Sequence, residues 1–171
     1  KRGDRMNGEF NLELYTIAMT RLNNGFGKIG NIIQDNASAL NMENEDDERD
    51  KKFSKMTAGV KRALPDFTTA LKEFKELYAD IQSDLNQKEI RLDDYEPFFK
   101  HVVETFPKSS KDLEEGIKGI KEATANSNEE LKNIIAELGD IINQTIAIFT
   151  DIYSLSANSL EKINKGELKW I

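Results

Sequence analysis

The chain has no cysteine, a single histidine, a single tryptophan and three prolines in 171 residues. Without a thiol there is no disulfide framework, no thiol nucleophile and no zinc–thiolate site, and the redox compartment stays open. One histidine is too few for the paired Glu-x-x-His motifs of carboxylate-bridged di-metal bundles, although Glu104 does stand three residues after His101. His101 would also have to be the base of any Ser-His-Asp relay, and no G-x-S-x-G elbow accompanies it. The acid-rich run Glu43, Glu45, Asp46, Asp47, Glu48 and Asp50 lacks the glycine and closing glutamate of an EF-hand and reads as a solvated connection. No catalytic, cofactor-binding or metal-ligating set emerges, so the expectation is a non-enzymatic chain without a cofactor.

Positive charge is also in deficit. The 24 Lys and Arg against 31 Asp and Glu leave a net charge of −7, which provides no broad basic surface for nucleic acid or anionic lipid. No run of about 20 nearly uninterrupted apolar residues is present, so membrane contact is expected through segments outside this chain, or weakly. The opening residues KRGDRMNGEF contain no apolar core of the roughly 7 to 15 residues a signal peptide uses.

What the chain does have is helical periodicity. Tyr15, Ala18, Leu22, Gly25, Ile29, Ile32, Asn36 and Ala39 recur at steps of three and four and predict a helix over about 10–42. Phe53, Met56, Val60, Leu64, Phe67, Leu71, Phe74, Leu77, Ile81 and Leu85 predict a second over about 48–87, kinked where Pro65 removes a donor. Tyr95, Phe98, Val102, Phe106, Leu113, Ile117 and Ile120 predict a third over about 90–124, broken near Pro107. Ser127 and Glu130 form a capping-box pattern that starts a fourth over about 128–164, with the seam Leu131, Ile134, Leu138, Ile141, Thr145, Ile148, Ile152 and Leu155. Four helices of similar length with short connections predict one all-α domain, an up-down-up-down four-helix bundle with long, partly kinked helices. The competing architecture is an elongated antiparallel coiled coil in which one helix runs continuously from about 110 to 164.

Gly25, Gly27 and Gly30 repeat the G-x-G-x-x-G spacing of dinucleotide-binding loops. That motif requires a strand before it and a helix after it, whereas here the helical phase runs straight through. The three glycines, with Pro65 and Pro107, are instead expected to mark close packing or a hinge.

The fourth helix carries no Lys or Arg from residue 133 to 161 and has a second apolar stripe beside its seam. A central position between two neighbours explains the stripe. A partner-binding surface on that helix and on the aromatic-rich 95–106 segment is the functional alternative, with Phe98, Phe99, Asn143, Gln144, Thr150, Tyr153 and Ser154 as its candidate residues. The leading expectation is therefore a non-catalytic bundle that acts by protein–protein interaction or self-association. With a basic start and the terminal Trp170-Ile171, the overall form resembles the ligand-binding bundles of bacterial chemoreceptors at the level of fold class, which implies a ligand-sensing domain of a membrane-anchored receptor and admits a small-molecule ligand. A third expectation is an amphipathic-helix protein that binds lipid or forms pores.

Overall fold

The computed structural model describes residues 7–41, 47–87 and 92–167. Four helices, α1 (Asn7–Asp35), α2 (Asp47–Leu85), α3 (Leu92–Ala123) and α4 (Glu129–Asn164), account for nearly all of them, with a 3-10 turn at Ala37–Asn41. The heptad-like phase of each helix is what the core uses: Tyr15, Ala18, Leu22 and Ile29 of α1 are buried, as are Phe53, Met56, Val60, Phe67, Phe74 and Leu77 of α2. Of the acid-rich connection, Asp47, Glu48 and Asp50 form the first turn of α2, where negative charge suits the helix N-terminus. The remainder of that run, and Trp170-Ile171, lie outside the described residues.

Helix ends differ from the sequence expectation in instructive ways. Helix α1 stops at Asp35 instead of running to 42, because Asn36 turns its side-chain amide onto the Ile32 carbonyl at 2.9 Å and the chain tightens into the 3-10 turn. The cap of α4 is Asn128, whose side-chain oxygen accepts from the Leu131 N–H at 3.0 Å. Ser127 is not the cap; its hydroxyl donates to the Thr124 carbonyl at 2.6 Å and closes the end of α3. This break between α3 and α4 excludes the continuous rod from 110 to 164.

The break expected near Pro107 is absent, since α3 runs through it without interruption, as α2 runs through Pro65. Both prolines sit on exposed positions. The carbonyls of Lys61 and Val103 lose their N–H partner four residues on, at positions one turn before each exposed proline.

Packing pairs α1 with α2, α3 with α4, α2 with α4 and α1 with α3. The first two pairs are antiparallel hairpins: Gly25 faces Phe67 while Gly59 faces Ile32, and Phe106 meets Phe149 while Lys121 reaches Gly139. The two hairpins lie side by side in the same sense, so that Asn11 meets Tyr95 and Phe26 meets Gly116 along parallel α1 and α3. Direction alternates up, down, up, down, yet α2 and α3 occupy opposite corners, and the order around the bundle is α1, α2, α4, α3. Tyr15 stands where all four helices converge, its ring centroid 5.9 Å from Phe74, 6.2 Å from Phe98 and 5.7 Å from Phe149.

Gly25 is the point at which α1 and α2 approach most demandingly. A Cβ there would lie 2.5 Å from the Phe67 ring, and Phe67 in turn meets Phe26 edge-on at 5.1 Å. Gly27 has nothing within 4 Å of a built Cβ. We expect Gly25→Leu to destabilise the fold by about 1–3 kcal/mol or more through overpacking, and Gly27→Ala to stabilise it by about 1 kcal/mol through helix propensity; chemical denaturation of both variants checks the pair.

Candidate functional site

The predicted interaction residues separate into two groups. Phe98 and Phe99 are fully buried and belong to the core, not to a surface. Tyr95, Phe98, Phe99 and Val102 stand at i, i+3, i+4 and i+7, so one face of α3 carries them all inward, where Tyr95 stacks on Phe99 at 5.4 Å. Tyr153 is half-buried, stacked on Phe106 at 4.4 Å. Asn143, Gln144, Thr150 and Ser154 are exposed along α4, where Ala136 and Ala147 accompany them. Both apolar stripes of α4 are consumed by packing, since Leu138, Ile142, Phe149 and Ile152 are buried and the helix contacts both α2 and α3.

Gly27 and Gly30 do not receive a neighbour, as each has open space where a side chain would stand. Their role becomes visible across the bundle. On α1 the stripe Thr16, Thr20, Asn23, Gly27 and Gly30 steps by four, three, four and three; on α3 Thr105, Ser109, Asp112, Gly116, Gly119 and Ala123 do the same. These two small-residue stripes flank the α1–α3 seam, the sparsest of the four helix contacts. Too little side chain is present to close it, and a groove remains.

The groove has two halves that meet at Asn23. The upper half, about 320 Å³, is lined by Tyr15, Thr16, Met19, Thr20, His101, Thr105 and Ser109. The lower half, about 530 Å³, is lined by Phe26, Gly30, Ile33, Gly116, Gly119, Ile120 and Ala123, with Asp112 and Glu115 at its rim. From Thr16 to Ile33 the groove follows α1 for about 25 Å at 1.5 Å per residue. The upper, polar half presents hydroxyl, amide and imidazole groups beside Met19 and the Tyr15 ring, and the lower half is largely apolar. Of these residues the sequence reading selected Gly30, for close packing or a hinge and not for a groove, although the matched stripes of Thr, Ser, Asn and Gly beside two apolar seams were the available signal.

Hydrogen bonding in the polar half has a definite direction. Thr105 donates its hydroxyl proton to the His101 carbonyl at 2.8 Å, so across the 3.2 Å contact it is Tyr15 that donates to Thr105. Thr16 donates to the Leu12 carbonyl and Thr20 to the Thr16 carbonyl, each at 2.9 Å. His101 presents its ring to the edge of Tyr15 at 5.6 Å. All four hydroxyl protons are thus committed within the protein, and the oxygens keep lone pairs.

At the end of the bundle beyond the polar half, a second buried polar set ties three helices. Asn11 of α1 donates to the Tyr95 hydroxyl at 2.9 Å, and Tyr95 donates to the carboxylate of Asp84 on α2. Among the described residues the Asn11 side-chain oxygen has no partner, and no group of three or more His, Asp or Glu is placed to hold a metal ion. Further shallow concavities lie between the ends of α2 and α4, about 410 Å³ around Leu85 and Leu155, and between α3 and α4, about 220 Å³ around Thr124 and Ile135. Among the described residues no helix is long and apolar enough to cross a membrane.

Burial pushes the Tyr15 phenol up to about 12. The folded chain keeps a proton that the unfolded chain releases near pH 10, so this contribution to stability is complete below about pH 10 and is lost between about pH 10 and 12, at about 1.4 kcal/mol per pH unit. Ultraviolet titration of phenolate absorbance is expected to show a late-ionising tyrosine that is lost in Tyr15→Phe, and the alkaline loss of stability should shrink in that variant.

Comparison with models of protein families, with curated proteins and with solved structures found no match to this chain, so its function has to be read from the groove and the faces described above.

Proposed function

We propose that this chain is a non-catalytic binding bundle and that the groove between α1 and α3 receives an amphiphilic ligand. The observation that carries this reading is the pair of matched small-residue stripes, which leave one seam open over more than four helical turns while Gly25 and Gly59 let large side chains close the α1–α2 seam. A bundle built solely for stability gains by filling such a seam, since each buried methylene is worth about 0.8 kcal/mol. Polar groups at one end and aliphatic and aromatic carbon at the other suit a molecule with a head and a tail. A non-catalytic role is supported by the hydroxyl protons of Thr16, Thr20 and Thr105, which run to backbone carbonyls rather than to the His101 imidazole, so that no hydroxyl among them is held by a general base.

A second reading is kept for the exposed face of α4. Between Lys132 and Lys162 it carries no cation, and Ala136, Asn143, Gln144, Ala147, Thr150 and Ser154 are interleaved with the acids Glu137, Asp140 and Asp151, so that a helix of a partner protein bearing Lys or Arg, or of a second copy packed on the uncharged positions, can approach it. If that face self-associates, light scattering gives a mass above one chain, and Ala147→Arg returns it to one. A single-chain mass at all concentrations removes self-association.

The groove is tested by plugging it. Gly30 and Gly119 have open space around a built Cβ, so Gly30→Leu and Gly119→Leu should fold, gain helix propensity and fill the apolar half. An anilinonaphthalene dye is expected to fluoresce with the native chain and to lose most of that signal with either variant. Undiminished fluorescence in both plugged variants refutes the groove as the binding surface.

A further inference from the structure

We propose that the cavity between the end of α3 and the start of α4 is a second site, separate from the groove, which takes a small carboxylate carried on a compact apolar body. Two lysines from different helices border it. Lys121 of α3 and Lys132 of α4 both line the cavity, with Thr124, Ala125, Ile135 and Ala136 between them, and its volume is about 220 Å³. Lys132, Ile135, Ala136 and Gly139 stand at i, i+3, i+4 and i+7, so one face of α4 carries Lys132 at one end and Gly139 at the other, about 10.5 Å away at 1.5 Å per residue. Lys121 crosses from α3 to the far end of that face, where a Cβ built on Gly139 would lie 3.0 Å from both its Cε and its Nζ. The two lysines thus bracket Ile135 and Ala136.

Charge then selects the head of the ligand. Along α3, Lys100, Lys108 and Lys111 each pair with an acid four residues away, Glu96, Asp112 and Glu115. Lys121 has no such acid. Its neighbours at spacings of three and four are Ile117, Lys118, Thr124 and Ala125, and among the described residues no carboxylate pairs with it. Lys132 is loosely engaged, 3.8 Å from the exposed Glu129. The acids next in sequence to Lys121 and Gly139, Glu122 and Asp140, do not line the cavity. Because the Thr124 hydroxyl donates to the Ile120 carbonyl at 2.8 Å, the side-chain donors left to a ligand are the two ammonium groups. A carboxylate can accept from both, in charge-assisted bonds about twice as strong as neutral ones.

Size selects the body. The volume lies below the roughly 300–1,000 Å³ of sites for drug-sized ligands, and Ala125, Ile135 and Ala136 give it a carbon lining. One ring or a short branched chain suits it. A bare oxyanion leaves that carbon uncovered.

The test uses the intact chain at an ionic strength of about 0.15 M, where exposed charges more than about 8 Å apart are screened. Benzoate, benzyl alcohol, benzylammonium and inorganic phosphate are titrated in turn, with the Ile135 methyl groups followed by nuclear magnetic resonance. Benzoate is expected to shift those signals and to bind about tenfold more tightly than benzyl alcohol or phosphate, and benzylammonium is expected not to bind. Lys121 and Lys132 are exposed, so Lys121→Met and Lys132→Met should fold; each should weaken benzoate about three- to fivefold, the worth of one exposed ion pair. Lys118→Met removes the same charge one turn away, outside the lining, and should leave benzoate binding unchanged, as should Gly30→Leu, which fills the groove. Equal binding of benzoate and benzyl alcohol, or Lys118→Met as damaging as Lys121→Met, overturns the carboxylate site. Phosphate as tight as benzoate overturns the apolar body, and loss of benzoate in Gly30→Leu, or no shift at Ile135, overturns the second site while leaving the groove to its own test.

Discussion

The whole bundle depends on one contact, the ring of Tyr15, because side chains from all four helices meet there. Phe74, Phe98 and Phe149 surround it within about 6 Å of centroid distance, and pairs of this kind contribute about 0.5–1.5 kcal/mol beyond the area they bury. Its hydroxyl cannot be left unpaired in that environment. The donation to Thr105 meets the requirement and at the same time fixes the rotation of α3 relative to α1, so the same residue sets both the depth of the core and the register of the parallel seam.

From that fixed point the seams diverge in quality. Within the first hairpin, Phe67 fills the space left by Gly25 and Ile32 fills that left by Gly59, while Arg21 pairs with Glu73 at 2.7 Å and Lys28 with Asp66 at 2.8 Å across the rim. Such rim pairs add little individually, so the aromatic and aliphatic fit carries that seam. Between the hairpins, Tyr15 meets Phe98 near one end of the α1–α3 seam and Phe26 lies against Gly116 farther along. Beside these contacts the stripes that edge the seam carry threonines, serine and further glycines. The groove is thus a property of residue size at fixed helical positions.

Much of the architecture was legible because a period of 3.6 residues is a strong signal over helices of about 30 residues or more. Helix number and helix order follow from it, and so does the burial of Phe98, which shares a seam with Tyr95 and Val102; the break before α4 follows instead from the capping pattern of Ser127 and Glu130. The burial of Phe99 does not, since it depends on α3 having a second neighbour on that side. Proline was misleading for a related reason: its effect depends on whether the freed carbonyl faces water or core, and that direction is set by the bundle. The move of the cap from Ser127 to Asn128 is a choice between adjacent residues that both cap well. The groove was written in the two stripes beside the seams, but a stripe on one helix acquires meaning when the stripe on another lies beside it, and α1 and α3 are 91 − 35 = 56 residues apart between the end of one and the last residue before the start of the other. Nothing local announces that they are neighbours.

The diagonal passage of the chain from α2 to α3 has a mechanical consequence. Each hairpin is internally stitched, and the hairpins touch along two parallel lines, α1 against α3 and α2 against α4. Such an object is a book with two covers: the α2–α4 line, sealed by Phe74 on Phe149, is the spine, and the α1–α3 groove is the open edge. A large group wedged into the open edge would have to turn one cover about the spine or break the Asn11–Tyr95 and Tyr15–Thr105 ties that cross that edge.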